Sequence, residues 1–240
     1  MSYSPALAIA TAIFEVVVAV WAVRGPGRRD VIRTTSAILL LLAAYQLVEV
    51  LVCAQLPTYG FTPRLAFIVV TWLPPLGLLL IAQLSRSLAR LNYAAAYAML
   101  AAALGIVVWI GVDARFVSDS VCTVVYAKYA NPLPRFLVYA WFYWIGLFGM
   151  VALSTLDLVT TRPQRNRPLE ALLSGSLGFI VPAVICTHFV APAQGALPSI
   201  MCHFALILAA SLVFVVRAER RQVPSGAPAA MTRPPQRAAL

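Results

Sequence analysis

The chain has little charge and lacks the composition of a soluble domain. Only 11% of its 240 residues are charged, whereas 62% are hydrophobic, and the mean hydropathy is +0.87. Soluble domains carry about 25% charged residues, so this composition indicates a chain whose solvent is the lipid bilayer. The segments between the apolar runs are too short to bury a core of their own, which argues against a separate soluble domain.

Several classes of function are excluded by residues that are missing. Lys128 is the only lysine, so the last apolar run offers no lysine for a retinal Schiff base of the rhodopsin kind. No HExxH or GxSxG motif is present, which argues against a hydrolase but leaves an intramembrane enzyme open. The four cysteines lack CxxC spacing, so zinc-ribbon and thioredoxin-like sites have no support. The net charge of +10 is not arranged as a basic stripe with exposed aromatics, so we do not predict a nucleic-acid partner.

Long apolar runs dominate what is present. Each is close to the roughly 20 residues that a helix needs to cross a bilayer. We therefore predict an all-α bundle of seven transmembrane helices over residues 1–217, followed by a disordered cytoplasmic tail over 218–240. Pro74-Pro75 should kink the third helix near the middle of the membrane, and the β-branched segment 121–126 predicts a short strand or hairpin. The predicted spans cover about 5–23, 36–56, 65–84, 93–112, 136–156, 169–191 and 198–216.

The distribution of basic residues predicts the orientation. With the N-terminus outside and the C-terminus inside, the cytoplasmic segments carry fourteen of the 18 basic residues, and the outer segments carry only four. This is the positive-inside pattern. We therefore expect a multi-pass protein of a bacterial inner membrane whose main partner is the lipid bilayer.

The second span carries a polar stripe within an apolar run. Gln46, Glu49 and Cys53 are spaced i, i+3 and i+7, so they share one helix face, and Tyr45 lies one turn back. A carboxylate inside a membrane costs several kcal/mol unless it faces protein or water. The stripe should therefore face the bundle interior, with Trp72 and the start of span seven nearby. Because no Lys or Arg lies centrally in any span, we expect Glu49 to be uncharged at pH 7.

Other polar residues also fall within or at the ends of spans. Glu15 lies near the middle of span one, and His203 near the start of span seven; each is either a site residue or a hydrogen-bonded structural group. Trp72 beside the proline pair is expected to shape a pocket. The depths converge on the outer half of the bundle and predict a small polar cavity open to the outside.

The cysteines and histidines allow two further hypotheses. Cys53 and Cys122 both fall at the outer face, where oxidation permits a disulfide between them, although four cysteines allow three full pairings. A metal or haem site could use Cys186, His188, Cys202 and His203, but their C-x-H and C-H spacings match no established ligand pattern. We therefore predict neither a metal nor a cofactor.

Spans two, three and seven resemble a family of small seven-helix bacterial membrane proteins, a domain of unknown function. The likeness is carried by Q-x-x-E at Gln46 and Glu49, a W-x-P element at Trp72 and Pro74, and S-x-x-C from Ser199 to Cys202. His203 stands where that family has an aromatic residue. The LPPL stretch at 73–76 is also similar to the seven-helix sensory module of some bacterial histidine kinases, although the tail is too short for a kinase. Neither resemblance implies an established reaction.

These observations leave three functions open. The first is binding of a small or lipophilic ligand in an outward-facing cavity, as a sensor or as an accessory subunit of a membrane protein partner. The second is proton-coupled transport of a small molecule by Glu49 or Glu15. The third is an intramembrane enzyme or a haem-binding or metal-binding protein. Transporters often show inverted repeats and broken helices, and only the proline pair points that way.

Overall fold

The computed structural model describes residues 5–54, 61–123, 127–161, 166–189 and 197–222, apart from the side chains of 187, 188, 197–199, 202 and 222. Within these ranges the chain forms eight helices and one two-stranded hairpin. In chain order the elements are α1 (Ala6–Arg24), α2 (Arg29–Cys53), α3 (Phe61–Thr71), α4 (Leu73–Leu84), α5 (Ala89–Val112), β1 (Asp119–Cys122), β2 (Ala127–Ala130), α6 (Leu133–Thr160), α7 (Arg167–Phe189) and α8 (Leu197–Gln222).

Six helical segments are long and apolar enough to cross a membrane. They are α1, α2, α3 with α4, α5, α6, and α7 as far as Cys186. A helical bundle is thus confirmed, and in the described part of the chain six of its segments could cross a membrane, whereas seven spans and the placement of the termini stay predictions. The helices also continue beyond the predicted apolar runs, because a helix can extend through the headgroup region after its apolar part ends.

The predicted start of the tail at residue 218 is wrong. Helix α8 continues to Gln222, five residues past that boundary. Contacts with the α1–α2 region explain this extension. Glu219 is 2% exposed and paired with Arg28, and Arg220 packs against the ring of Trp21. Residues 223–240 of the predicted tail lie outside the described residues.

The third span is interrupted at Trp72, next to the proline pair where the sequence predicts a kink. Helix α3 ends at Thr71, Trp72 forms a turn, and Pro74 and Pro75 occupy the first turn of α4. Proline is tolerated there because the first N–H groups of a helix have no partner within the helix. On α6, Gly146 lies against Pro74, so the absence of a side chain at 146 lets α6 approach the break closely.

The element ends define two opposite faces of the bundle. The hairpin face holds β1 and β2, and there Arg64 of α3 donates to the carbonyl of Gly111 (3.1 Å). The arginine face holds the segments 24–29 and 85–88, Thr161, Asn166 and the end of α8. At that face Asn166 donates to the carbonyl of Leu84 (2.9 Å).

Small residues set the closest helix contacts. Helices α7 and α8 are antiparallel, with Gly175 against Ser211 and Gly178 against Ile207. Ser174 is exposed, so the small residues that face α8 most closely are Gly175 and Gly178. Helix α2 lies centrally and packs against α1, α3, α4, α8 and both strands.

Candidate functional site

The polar stripe of α2 lies inside the protein. Tyr45 and Glu49 are 0% exposed and Gln46 is 2% exposed. One turn further along the same face, Cys53 is joined to the hairpin. Burial on this face follows from the position of α2, which has helices on several sides and the hairpin at its end. The stripe therefore lies beneath the hairpin at the hairpin face.

A disulfide ties this end of α2 to the hairpin. Cys53 is bonded to Cys122 of β1, with a Cα–Cα distance of 5.6 Å, which is the pairing expected from the predicted outer position of both residues. The hairpin strands are antiparallel, with Cys122 opposite Ala127. The predicted strand at 121–126 is thus partly correct: β1 begins earlier, at Asp119, and residues 124–126 lie outside the described residues.

Aromatic rings anchor the hairpin on the bundle. Phe67 of α3 is 1% exposed and makes edge contacts with four rings. The centroid distance is 5.2 Å to Phe116, Tyr129 and Tyr139, and 6.5 Å to Phe136. Tyr129 belongs to β2 and Tyr139 to α6, so a single buried ring joins three elements. Edge-to-face pairs contribute about 0.5–1.5 kcal/mol beyond their buried area. The hairpin is therefore packed on the bundle as well as covalently held.

Glu15 is a second buried carboxyl, separate from the stripe. It is 0% exposed on the face of α1 that packs against α2 and α8, and neither carboxylate oxygen has a hydrogen-bond partner among the described residues. The hydrogen bond from Ser36 to the carbonyl of Ala19 sets the α1–α2 register. With that register, Glu15 lies level with residue 40, and Glu49 lies roughly 13 Å further along the axis. The two carboxyls therefore do not form a pair.

An aromatic cleft opens on the side of the bundle, in its hairpin half. It is bounded by three helices, with Val70 from α3, Met201 from α8 and the rest from α6. The wall from α6 consists of Phe136, Tyr139, Ala140, Tyr143 and Trp144. Its cavity of about 30 Å³ is close to the volume of one water molecule. The partly exposed rings of residues 136, 143 and 144 give the cleft a lateral opening, where a membrane protein meets lipid.

The remaining predicted site residues are spread more widely. Trp72 is half-buried in the turn between α3 and α4, and His203 is half-buried two residues after Met201 of the cleft. Cys186 is a half-buried free thiol on α7. The side chains of His188 and Cys202 lie outside the described residues, so a metal or haem site at these four residues stays a hypothesis. Among the described side chains, no group of three or more metal-ligating residues forms a site.

The arginine face carries a buried acidic cap. Asp157 of α6 is 0% exposed and accepts hydrogen bonds from the hydroxyls of Ser85 (2.6 Å) and Ser87 (2.8 Å). It also accepts the backbone N–H groups of Arg86 (3.3 Å) and Leu88 (3.0 Å). Leu88 precedes α5, so this carboxylate caps the start of that helix from a neighbouring helix. The cap holds the α4–α5 turn on α6.

A second cluster at this face joins the α1–α2 turn to the end of α8. Arg28 forms a two-pronged ion pair with Glu219 (Nε–Oε2 and Nη2–Oε1, both 2.8 Å) and donates to the carbonyl of Gln83 (2.9 Å). The hydrogen bonds to Glu219 raise the pKa of Arg28 above its usual value. One residue on, the guanidinium of Arg220 lies 3.9 Å from the ring centroid of Trp21. These contacts fasten α8 to the α1–α2 turn.

The sequence gives little sign of these polar clusters. Arg28 and Glu219 are 191 residues apart, and neither interrupts an apolar run. Asp157 falls directly after a predicted span, where an acidic residue is ordinarily solvated. The available sequence signal for the acidic cap is the pair Ser85 and Ser87 before α5, together with the isolated acid Asp157 near the end of α6. The sequence does not reveal the aromatic cleft either, because the pattern of Tyr139, Tyr143 and Trp144 is typical of an aromatic belt at the membrane interface.

Comparisons of the chain with family models, with curated proteins and with solved structures give no match.

Proposed function

We propose that the protein is a seven-helix bundle of a bacterial inner membrane that binds a small lipophilic ligand, as a sensor or as the accessory subunit of a membrane protein partner. The observation that supports this function is the aromatic cleft between α3, α6 and α8. Aromatic walls with a few hydroxyl groups are typical of sites for apolar small molecules.

The lateral opening favours a ligand that arrives through the lipid. Phe136, Tyr143 and Trp144 are each only partly buried, so an apolar molecule would replace lipid contacts rather than water contacts. The resting cavity is small, but Met201 at its base is unbranched and flexible, which allows the cleft to widen. Tyr139 links the cleft to Phe67 and hence to the hairpin. A ligand that moves Tyr139 would therefore shift the disulfide-bonded hairpin. In the proposed orientation the hairpin is the surface available to a partner outside the membrane.

A filled-cleft variant tests this function. Ala140 lines the cleft, so Ala140→Trp should occupy it, whereas Ala152→Trp places the same ring on an exposed position of α6. The probe is the small apolar fluorophore 1-aminoanthracene, titrated into the purified protein in detergent. We expect saturable binding to the wild type and to Ala152→Trp, and at least a tenfold weaker affinity for Ala140→Trp. Equal affinity of all three proteins, or no saturable binding, would reject the cleft as the site.

The proposed orientation places the arginine face in the cytoplasm and both the hairpin and the N-terminus outside. It is supported by the fourteen-to-four division of basic residues and by the disulfide, which persists in an oxidising compartment. Reporter enzymes fused after Leu240 give a direct test. A cytoplasmic reporter should be active and a periplasmic one silent. The reverse result would place the arginine face outside the cell and refute the proposed orientation.

Proton-coupled transport is the second candidate function, and the buried carboxyl of Glu15 is the observation that favours it. A carboxyl with no hydrogen-bond partner among the described residues is poised to take up a proton or a cation. Glu49 is the alternative group. Liposomes loaded with a pH-sensitive dye should show proton flux above that of empty liposomes, and Glu15→Gln or Glu49→Gln should abolish it while the elution profile stays unchanged. Flux no greater than in empty liposomes would reject this candidate.

A further inference from the structure

A basic groove runs between α7 and α8 at the arginine face. Its α7 side contributes Arg167, Glu170 and Ser174, and its α8 side contributes Phe214, Arg217 and Arg221, around a volume of about 660 Å³. On each helix these residues are spaced i, i+3 and i+7, so they form two facing stripes rather than a chance collection. Two antiparallel helices thus present one continuous groove.

The groove changes from charged to apolar along its length. Arg167 and Arg221 lie at its surface end, and Arg217 lies about one turn deeper. Ser174 lies about two turns beyond Arg167, and Phe214 about two turns beyond Arg221, each roughly 10 Å towards the membrane. The hydroxyl of Ser174 donates to the carbonyl of Glu170 (2.9 Å), so it places no unsatisfied donor at that depth. Phe214 is 59% exposed and presents its ring to lipid. This gradient matches a molecule with an anionic head and an apolar tail.

The arginines of the groove differ from others at this face. Arg28 and Arg220 are held by protein groups, by Glu219 and by Trp21. Arg167, Arg217 and Arg221 are exposed and form no ion pair with the described residues. With the carboxylate of Glu170 included, the groove has a formal charge of about +2, which suits a phosphodiester group. Basic pockets between transmembrane helices commonly bind anionic lipid headgroups.

We propose that this groove is a binding site for an anionic phospholipid of the leaflet at the arginine face. The phosphodiester group lies among the three guanidinium groups, and an acyl chain passes along Phe214 into the bilayer. The site is separate from the aromatic cleft, which lies in the opposite half of the bundle. An anionic lipid seated there joins the start of α7 to the end of α8 and so stabilises the helix that carries Glu219.

Native mass spectrometry of the detergent-purified full chain tests the site, with phosphatidylglycerol and phosphatidylcholine of identical acyl chains as probes. We expect preferential binding of phosphatidylglycerol by the wild type, and roughly 25-fold weaker binding by Arg217→Gln/Arg221→Gln, since each basic residue contributes about a fivefold effect. The control Arg24→Gln/Arg90→Gln removes the same charge from exposed positions of α1 and α5 and should bind as the wild type does.

The proposal is overturned by equal binding of the two lipids, by an equal loss in the control variant, or by undiminished binding to the groove variant. Glycerol phosphate is added as a competitor to separate the headgroup from the whole lipid. Displacement of phosphatidylglycerol by millimolar glycerol phosphate would show a site for a soluble phosphate, and thus refute a lipid site. If the double variant does not fold, Arg167→Gln, Arg217→Gln and Arg221→Gln are compared singly, each with an expected loss of about fivefold.

Discussion

Removing the acidic cap at Asp157 should destabilise the protein more than most substitutions at its surface. Asp157→Ala leaves the hydroxyls of Ser85 and Ser87 and the N–H of Leu88 without their acceptor in a site where the carboxylate is fully buried. Hydrogen bonds to a charged group contribute about 1.5–3 kcal/mol each, but water can reach the half-exposed turn and replace part of them. We therefore expect a loss of about 2–4 kcal/mol in the free energy of unfolding.

Thermal unfolding in detergent, followed by size-exclusion fluorescence, measures this loss. For a chain of this size, 2–4 kcal/mol corresponds to a fall of roughly 5–15 °C in Tm. Asp157→Asn keeps one acceptor oxygen and should fall between the wild type and Asp157→Ala. Thr155→Ala is the matched control, since its hydroxyl is exposed and bonds only within α6 (2.8 Å to the carbonyl of Val151). An Asp157→Ala variant as stable as Thr155→Ala would refute the role of the cap.

Two further stability predictions follow from close contacts. Gly146→Ala should lower Tm by several degrees because the new methyl group meets the ring of Pro74, whereas Gly105→Ala, with open space around it, should be neutral or slightly stabilising in the same assay. Replacing Cys53 and Cys122 together with serine should lower the free energy of unfolding by less than the roughly 4 kcal/mol expected for a disulfide that closes a loop of this length in a free chain. The loss is smaller because helices that remain in the membrane already restrict the unfolded chain. A loss above that value would contradict this explanation.

The helices were predictable from sequence because membrane insertion imposes a long apolar run on each one. An irregularity in the third span was predictable too, since adjacent prolines remove backbone donors whatever the surroundings, and the helix is interrupted at Trp72. The exact ends of the helices were less predictable from the sequence. Helix α2 begins at Arg29, seven residues before the predicted start, because nothing about the bilayer prevents a helix from continuing among headgroups. Helix α8 likewise extends to Gln222 through contacts with the distant Arg28.

The candidate site was predictable only in part. The spacing of residues 46, 49 and 53 fixes a common face, and their polarity requires that face to be internal, which agrees with the burial of Gln46 and Glu49. The aromatic cleft depends on which helix lies beside α6, and periodicity carries no information on that. Gly105 illustrates the same limit: a glycine in an apolar helix is typical of a close helix contact, but nothing approaches this one within 4 Å.

Photolabelling gives the most direct test of the proposed ligand site. A long-chain alcohol that carries a diazirine is added to the protein in lipid nanodiscs, irradiated, and located by peptide mass spectrometry. The proposed ligand site predicts saturable labelling of Tyr139, Tyr143, Trp144 and Met201 in the aromatic cleft, and loss of this labelling with excess unmodified alcohol. Labelling spread evenly over the exposed apolar side chains of α1, α5 and α6, and insensitive to the competitor, would contradict it.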